Sequence, residues 1–227
     1  MLRLLIGCNW QAAIFSSNEQ IQLFGCPFNR THNKEKEDIT MLNLDYKWFQ
    51  FINGLAGHSA LLDWIMTFLS KDAEYLFFLG IILYWFTRSR QNRRMVIEAL
   101  VSASAALGVS SLIGRLYYRD RPFVDHHVHL LIKHAANASF PSDHATAAFA
   151  VATAIWCSRR KEGWGWLILS AGIAISRVWT GVHYPLDIIT GAAVGSTAAI
   201  IIHILMSALM KRVSKSVHSG GVQPWKS

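Results

Sequence analysis

The chain has 227 residues, of which 52% are hydrophobic and only 16% are charged, and its formal net charge is +8. The positive charge does not indicate nucleic-acid binding, because Lys and Arg lie mainly between apolar runs and form no stripe with interleaved aromatic side chains. The three cysteines, Cys8, Cys26 and Cys157, show neither the pattern of a disulfide framework nor the spacing of metal ligands.

The first 40 residues differ from the rest of the chain. They include the charge run at 34–38 and no apolar stretch long enough to cross a bilayer. We interpret residues 1–40 as a poorly ordered leader, or as a start assigned upstream of a true start at Met41. Residues 41–212 then form a membrane domain, and residues 213–227 form a flexible polar tail.

Long apolar runs fill the remainder of the chain, and a bilayer crossing needs about 20 apolar residues. The candidate spans are 48–70, 72–87, 95–118, 143–158, 164–182 and 186–210. Gly54, Gly57 and Asp63 interrupt the first run, so it is either a bent span or an interfacial helix followed by a short span. The predicted fold is all-α, a polytopic membrane helix bundle with about six transmembrane helices and five as the alternative.

Basic residues follow every second predicted span. They are Arg88, Arg90, Arg93 and Arg94, then Arg159, Arg160 and Lys161, and finally Lys211, Arg212 and Lys215. Spans that alternate in direction place these three clusters at one end of the bundle, and an excess of Lys and Arg is typical of the cytoplasmic side. The opposite, extracytoplasmic end receives the 119–142 loop and the junction near residue 183.

The fourth predicted span begins with Pro141-Ser142-Asp143-His144. Ser142 is a good candidate for an N-cap, and the free N–H groups at a helix start can bind a phosphate. His144 then lies in the first turn, where it can protonate a leaving oxygen. Taken alone, this pattern also fits an ordinary capped helix.

His183 and Asp187 are four residues apart, which places both on one face of a helical turn. The carboxylate can fix the imidazole tautomer while the other ring nitrogen attacks phosphorus, although an isolated pair of this kind is often only structural. Arg121 and Arg177 each supply a planar fork suited to phosphate oxygens. Together these groups provide a cradle, a nucleophile, an orienting carboxylate and an acid for phosphoryl transfer.

The order Arg-Pro, Pro-Ser-x-His and Ser-Arg-x5-His-x3-Asp resembles the three-part signature of the type-2 phosphatidic acid phosphatase superfamily. The resemblance implies a reaction through a phosphohistidine that needs no metal and no cofactor. It also implies catalytic roles for His183 as nucleophile, Asp187 as its orienting residue and His144 as acid. The residues that it implies for binding phosphate are Arg121, Ser142 and Arg177.

Two positions depart from the family pattern. Gly114 stands where the first motif usually begins with Lys, so Arg115 or Arg119 is a candidate for the missing charge. Asp143 stands where the wider family usually has Gly, and a carboxylate beside a phosphate is unfavourable unless it points away. Arg115 and Asp143 complete the set of candidate phosphate-site residues.

The runs Arg-Pro-Phe-Val at 121–124 and Ala-Ser-Phe-Pro-Ser-Asp-His at 138–144 resemble bacterial undecaprenyl-diphosphate phosphatases of the bacitracin-resistance group. That resemblance implies recycling of the lipid carrier of peptidoglycan synthesis on the outer face of the cell membrane. The implied partners are a polyprenyl diphosphate lipid and the bilayer, with no nucleic acid. A phosphatase for phosphatidylglycerol phosphate or phosphatidic acid, and a transporter with an anion site, are the alternatives.

The loop at 123–140 carries four histidines, namely His126, His127, His129 and His134. Four imidazoles can bind zinc if they converge. Because neither cysteines nor paired carboxylates accompany them, we favour a solvent-facing loop, or one that covers the diphosphate, and we predict no metal site.

Overall fold

The computed structural model describes residues 29–219, and within this range every regular element is a helix. The helices in chain order are α1 (Asn29–Asn53), α2 (Ala60–Lys71), α3 (Glu74–Phe86), α4 (Arg90–Leu116), α5 (Pro122–Asp125), α6 (Asp143–Ser158), α7 (Arg160–Trp179) and α8 (Pro185–Ser219). The all-α prediction is therefore confirmed for the described residues.

Five of the six predicted spans coincide with helices, namely α3, α4, α6, α7 and α8. The run at 48–70 does not form one helix, because α1 ends at Asn53 and α2 begins only at Ala60. Between them Gly57 adopts a φ of +85°, and its N–H donates to Oδ2 of Asp63 at 2.9 Å. A positive φ ends a right-handed helix, so the break is built into the chain at this glycine.

Two of the described helices are long and apolar enough to be clear membrane-span candidates, α4 over its whole length and α8 over Pro185–Val213. Helix α3 is apolar but shorter. The count of about six spans therefore stays a prediction.

The chain divides into two units after Asp38. In the first unit residues 29–38 are helical, and the second unit, Ile39–Ser227, contains every residue of the candidate site. The predicted boundary at Met41 falls inside α1, and residues 1–28 and 220–227 lie outside the described part of the chain. The leader and the polar tail therefore stay predictions.

Helix α6 lies at the centre of the membrane domain, packed by α4, α7 and α8. Its buried face is mostly alanine, including Ala145, Ala150 and Ala154. Helix α8 approaches it closely at Gly195, where an added Cβ would lie 2.2 Å from the carbonyl oxygen of Thr146. Small residues allow backbones to approach closely in membrane bundles, and here they bring the N-termini of α6 and α8 together.

The predicted basic clusters meet at one end of the bundle. Gln91 donates to the Ser158 carbonyl at 3.1 Å, and Arg159 donates to Oδ1 of Asn92 at 3.0 Å, so the α3–α4 and α6–α7 junctions are in contact. Arg94 donates to Oγ of Ser207 on α8 at 2.7 Å. The geometry agrees with the alternation of span directions on which the orientation prediction depends.

A buried ion network joins α4 to α8 in this half of the bundle. The carboxylate of Glu98 is 2.6 Å from Nε of Arg94 and 2.7 Å from Nδ1 of His203. Because a buried carboxylate is costly without partners, these two side chains compensate for its desolvation. Both Glu98 and His203 thus have a structural explanation in the interior of the bundle.

Candidate active site

The three sequence clusters converge at the end of the bundle opposite the basic clusters, where α6 and α8 begin and α7 ends. The backbone N–H of Ser142 donates to the carbonyl of Asp187 at 3.1 Å, which joins the starts of α6 and α8. The N–H of Ser139 donates to the carbonyl of Arg119 at 2.8 Å, which closes the 117–142 loop on itself. Helix packing and backbone hydrogen bonds thus assemble the site from distant parts of the chain.

His183 lies in the turn between α7 and α8 and is 2% exposed. The turn is possible because Gly181 adopts a φ of +82°, a conformation that favours glycine. Nδ1 of His183 is 3.4 Å from Oδ2 of Asp187 and 3.4 Å from Oγ of Ser139. The structure therefore brings His183 and Asp187 together as the sequence predicted, and it adds Ser139.

The other ring nitrogen, Nε2, lies 3.0 Å from Nη1 of Arg121. A guanidinium can only donate hydrogen bonds, so Nε2 acts as the acceptor and the ring proton is assigned to Nδ1, facing Asp187. Burial lowers the pKa of His183 to about 4, outweighing the opposite effect of Asp187. His183 is therefore a neutral imidazole near pH 7, with its lone pair on Nε2.

The carboxylate of Asp187 is fully buried and has donors on both oxygens. Oδ2 accepts hydrogen bonds from the backbone N–H of Tyr184 at 2.8 Å and from the hydroxyl of Ser139. Oδ1 accepts from Nη1 of Arg119 at 3.2 Å. Sequence reasoning did not find Ser139, although its place three residues before Ser142, in the same loop, was the signal that could have found it.

Arg177 and Ser142 carry buried polar atoms that lack partners among the described residues. Nη1 of Arg177 donates to the carbonyl and hydroxyl oxygens of Ser70 at 2.8 and 3.1 Å, whereas its Nε and Nη2 have no partner. The hydroxyl of Ser142 is likewise unpaired. Buried donors are rarely left unpaired, and a charged donor fork suits an anion such as phosphate.

Ser142 occupies the N-cap position of α6, as predicted, but its hydroxyl makes no capping hydrogen bond. The backbone N–H of Ser142 instead joins the helix start to the carbonyl of Asp187 on α8. The hydroxyl and the nearby N–H groups are thus left for another acceptor.

Arg121 is 5% exposed and ties the 117–142 loop to the turn that carries His183. Its Nε donates to Oδ1 of Asn137 at 2.9 Å, and its Nη1 donates to the carbonyl of Val182 at 2.9 Å. The guanidinium also contacts the imidazole of His183, so this arginine lies against the predicted nucleophile.

His144 lies in the first turn of α6 with its side chain 32% exposed, and its Nε2 is 3.7 Å from Oε2 of Glu74 at the start of α3. The ring is close enough to Arg177 and His183 to interact with both electrostatically. His144 is thus partly open to solvent on the same end of the bundle as the buried nucleophile.

Asp143 and Arg115 lie at the margin of this arrangement. Oδ1 of Asp143 accepts a hydrogen bond from the hydroxyl of Ser110 on α4 at 2.8 Å, and the carboxylate forms no ion pair with an arginine among the described residues. Arg115 is exposed and forms no hydrogen bond or ion pair with any residue that the structure describes. Of the two basic candidates for the charge absent at Gly114, only Arg119 contacts a residue of the site.

The histidines of the 123–140 loop take separate positions. His126 stacks on Tyr46 with ring centroids 4.0 Å apart, and the backbone N–H of His129 donates to Asn53. His134 is half-buried, and this burial, together with Arg121 and Arg177, lowers its pKa. Over residues 29–219, no three His, Cys, Asp or Glu side chains lie close enough to hold a metal ion.

Comparison with known proteins gives a family match and close relatives. Residues 95–211, which contain all three clusters, match the model of the PAP2 superfamily. The chain is 40% identical over 162 residues to the undecaprenyl-diphosphatase BcrC of Bacillus subtilis (strain 168), covering 71% of this chain and 82% of the relative. It is 38% identical over 162 residues to the bacitracin transport permease protein BcrC of Bacillus licheniformis, covering 71% and 79%.

A solved structure supports the fold. The transmembrane PAP2-type phosphatidylglycerolphosphate phosphatase of Bacillus subtilis matches with a TM-score of 0.57 at 18% identity, over 74% of this chain and 87% of that one. This likeness shows the same fold, and the apolar helices α4 and α8 support a membrane protein.

Proposed function

From the premise that the chain belongs to the PAP2 superfamily and is a membrane-bound hydrolase, we propose that it converts undecaprenyl diphosphate to undecaprenyl phosphate and inorganic phosphate. The observation that carries the proposal is the buried imidazole of His183, held between Asp187 and Arg121, at the end of the bundle where Arg177 and Ser142 carry unpaired buried groups. Phosphoryl transfer requires a nucleophile together with donors that can bind the phosphate oxygens.

The choice of lipid is supported by the relative from B. subtilis, whose name specifies undecaprenyl diphosphate as substrate. The sequence runs at 121–124 and 138–144 agree with that group. We therefore place the enzyme in recycling of the carrier lipid for peptidoglycan synthesis.

The first step begins when the terminal phosphate enters between Arg177 and Ser142. Arg121 then moves from Nε2 of His183 onto the phosphate oxygens, which frees the nitrogen lone pair. Nε2 attacks the terminal phosphorus, and the bond between that phosphorus and the bridging oxygen breaks. The bridging oxygen keeps the electron pair and takes a proton from His144, and undecaprenyl phosphate leaves.

In the second step a water molecule attacks the phosphorus of the phosphohistidine. His144, now neutral, accepts a proton from that water, and the electrons of the P–N bond return to Nε2. Inorganic phosphate leaves and His183 is regenerated. The arginines and Ser142 stabilise the charge on the equatorial oxygens, and this electrostatic stabilisation supplies most of the rate acceleration.

We further propose six membrane spans with the site on the extracytoplasmic side. The contacts at the basic end and the assembly of the site at the other end support spans that alternate in direction. Extracytoplasmic placement suits a lipid diphosphate released on the outer leaflet.

The alternatives differ in what happens to the lipid. A phosphatase for phosphatidylglycerol phosphate or phosphatidic acid would use the same residues on a different leaving group. The relative from B. licheniformis carries the name of a transport permease, which favours transport as a second candidate. A binding or transport site needs the arginines, but it does not need a neutral imidazole oriented by a buried carboxylate.

Release of phosphate by the purified protein tests the proposal. In detergent with undecaprenyl diphosphate and EDTA, wild type should release phosphate, and His183→Ala should lower the rate by about 10³-fold or more because the nucleophile is gone. His127→Ala is the matched control, because His127 is an exposed histidine of the adjacent loop.

The reaction should also be run with substrate labelled in the terminal phosphate and quenched at alkaline pH. Acid-labile label should then remain on the wild-type protein and not on His183→Ala. Undiminished activity of His183→Ala would exclude the phosphohistidine. Dependence on added divalent metal would exclude the metal-free mechanism. Tight binding of the lipid without phosphate release would favour the transporter.

A further inference from the structure

We propose that Arg119 and Asp45 are positioning residues that hold Asp187, and through it His183, in the geometry needed for attack. The inference rests on the proposed function, because it concerns the same nucleophile. Asp45 lies on α1, outside residues 95–211 that match the family model. The family motifs therefore do not account for it.

Asp45 is a carboxylate on α1, yet it is buried, with only 3% of its surface exposed. Its Oδ1 accepts the backbone N–H of Leu186 at 2.8 Å, in the first turn of α8. Its Oδ2 lies 2.7 Å from Nη2 of Arg119, an ion pair that does not have hydrogen-bond geometry. Asp45 thus supplies from α1 the acceptor that the start of α8 lacks, and it binds one arm of Arg119 at the same time.

The second arm of Arg119 reaches the catalytic carboxylate. Its Nη1 donates to Oδ1 of Asp187 at 3.2 Å, and the guanidinium lies over the ring of Tyr184 at 3.7 Å from the centroid. The backbone of Tyr184 in turn donates to Oδ2 of Asp187. The Arg119 side chain is therefore held by Asp45 and by the ring of Tyr184 while it contacts Asp187.

The guanidinium of Arg119 is shared between the carboxylates of Asp45 and Asp187, and this sharing determines how the Asp187 carboxylate is oriented. Oδ2 of Asp187 has to face the protonated Nδ1 of His183 while Arg119 binds Oδ1. If Asp45 did not bind the other arm, Arg119 would be free to bind Asp187 with both arms, as guanidiniums do with carboxylates. That rotation would draw Oδ2 away from His183, so Asp45 keeps the carboxylate oriented toward the imidazole.

This geometry differs from a role for Arg119 as the substitute for the family lysine at Gly114. Both terminal nitrogens of Arg119 already contact carboxylates, whereas Arg177 has unpaired donors. If Arg119 bound the substrate phosphate, its substitution would weaken substrate affinity. A positioning residue should instead affect the rate of phosphoryl transfer.

Kinetics of four variants test the inference with undecaprenyl diphosphate as the probe. Arg119→Ala should lower kcat about 100-fold, the scale expected when a reacting group is misplaced by about 1 Å, while KM changes by less than about threefold. Asp45→Asn, which keeps an acceptor for Leu186 but loses the charge, should lower kcat about 10-fold. Arg119→Lys should recover part of the loss, and Lys47→Ala, an exposed position on α1, should match wild type.

Across these variants, the rate of phosphoenzyme formation in a single turnover should fall in the same order as kcat. The double variant Asp45→Asn with Arg119→Ala should be no slower than Arg119→Ala alone, because both changes act through Asp187. Thermal unfolding of each variant shows whether it is folded. If Arg119→Ala does not fold, the kcat values of Asp45→Asn and Arg119→Lys test the positioning role.

Wild-type kcat in Asp45→Asn and Arg119→Lys would overturn the inference, as would losses confined to KM. Losses that multiply in the double variant would also overturn it, since they would show independent roles. An inactive wild type would instead refute the proposed function, and the two failures are therefore distinguishable.

Discussion

At the residue scale, burial determines the protonation state of the predicted nucleophile. His183 is enclosed by Arg121, Ser139 and Asp187, and its desolvation disfavours the charged ring more than the carboxylate favours it. The same enclosure removes water from the attacking nitrogen. The side chain is thus prepared for attack without a separate base.

The pH dependence of kcat/KM follows from this shift. An ordinary histidine, with a pKa of about 6.5, would lose its lone pair below neutral pH, whereas His183 with a pKa of about 4 stays neutral. We expect activity to persist to about pH 5, with the acid limb due to His183 nearer pH 4. An acid limb near pH 6.5 in the rate of phosphoenzyme formation would contradict this prediction.

The lowered pKa of His183 also determines the direction in which stability changes with pH. Between about pH 6.5 and about pH 4 the unfolded chain binds a proton at His183 and the folded protein does not, so stability falls as the pH is lowered through this window. Thermal unfolding of His183→Gln should show less loss over that window than wild type. Equal losses would show that His183 does not contribute.

Ser142 provides a second test at the residue scale. Its buried hydroxyl has no partner in the described structure, so Ser142→Ala removes no hydrogen bond and should leave the free energy of unfolding unchanged or slightly higher. Activity should fall about 10-fold or more if the hydroxyl binds phosphate.

Ser170→Ala is the matched control for that change. Its hydroxyl is buried in α7 and donates to the carbonyl of Trp166 at 2.9 Å, so the variant should lose up to about 1 kcal/mol of stability and keep its activity. A loss of stability in Ser142→Ala with unchanged kcat/KM would mark Ser142 as structural.

At the scale of elements, the close packing of α6 on α8 decides where the site forms. Helix α6 presents Ser142 and His144 at its start, and α8 presents Asp187 at its own start. Their N-termini are adjacent because small residues line the contact between the helices. The ion network around Glu98 holds α4 to α8 farther along the bundle.

Gly195→Ala tests this packing. The added Cβ would lie 2.2 Å from the carbonyl of Thr146 and 2.9 Å from the backbone nitrogen of Ala150, so the two helices have to separate. We expect a loss of about 1–3 kcal/mol in the free energy of unfolding, with reduced activity because the helix starts shift.

Gly108→Ala is the control for the glycine substitution. Gly108 lies inside α4, and a Cβ there would have no neighbour within 4 Å. Alanine favours a helix by up to about 1 kcal/mol over glycine, so stability should rise or stay level and activity should not change. Equal effects of the two substitutions in thermal unfolding would contradict the packing argument.

At the scale of the whole molecule, the two ends of the bundle differ in chemistry. One end gathers the basic clusters that follow α3, α6 and the apolar part of α8, and the other gathers the phosphate-type residues. In the proposed orientation, a lipid with its diphosphate in the outer interface and its tail in the bilayer reaches the second end without leaving the membrane.

Labelling of single cysteines with a membrane-impermeant maleimide on spheroplasts tests this orientation. In a chain whose native cysteines are replaced, Ala136→Cys, exposed in the loop at the site, should be labelled. Ser89→Cys, exposed between α3 and α4 at the basic end, should be labelled only after the membrane is opened. The reverse pattern would invert the proposed topology.

Several features of the protein are determined by the sequence itself. Long apolar runs dictate helices, since backbone groups in lipid have to be satisfied within one segment. The motifs around Ser142, His183 and Asp187 carry the chemistry of phosphoryl transfer. The helical fold and the family were confirmed, while the roles of these residues stay predictions.

Other features are decided only by the tertiary structure. Sequence spacing pairs His183 with Asp187, but it gives no reason to bring Ser139 to the same carboxylate or Asp45 to Arg119, because those contacts join segments more than 40 residues apart. It also does not show that α1 and α2 are separate helices, or that Arg119 contacts carboxylates while Arg177 keeps free donors. Local patterns reflect the bonding needs of one segment, whereas the partners of a buried charge depend on which helix ends the packing brings together.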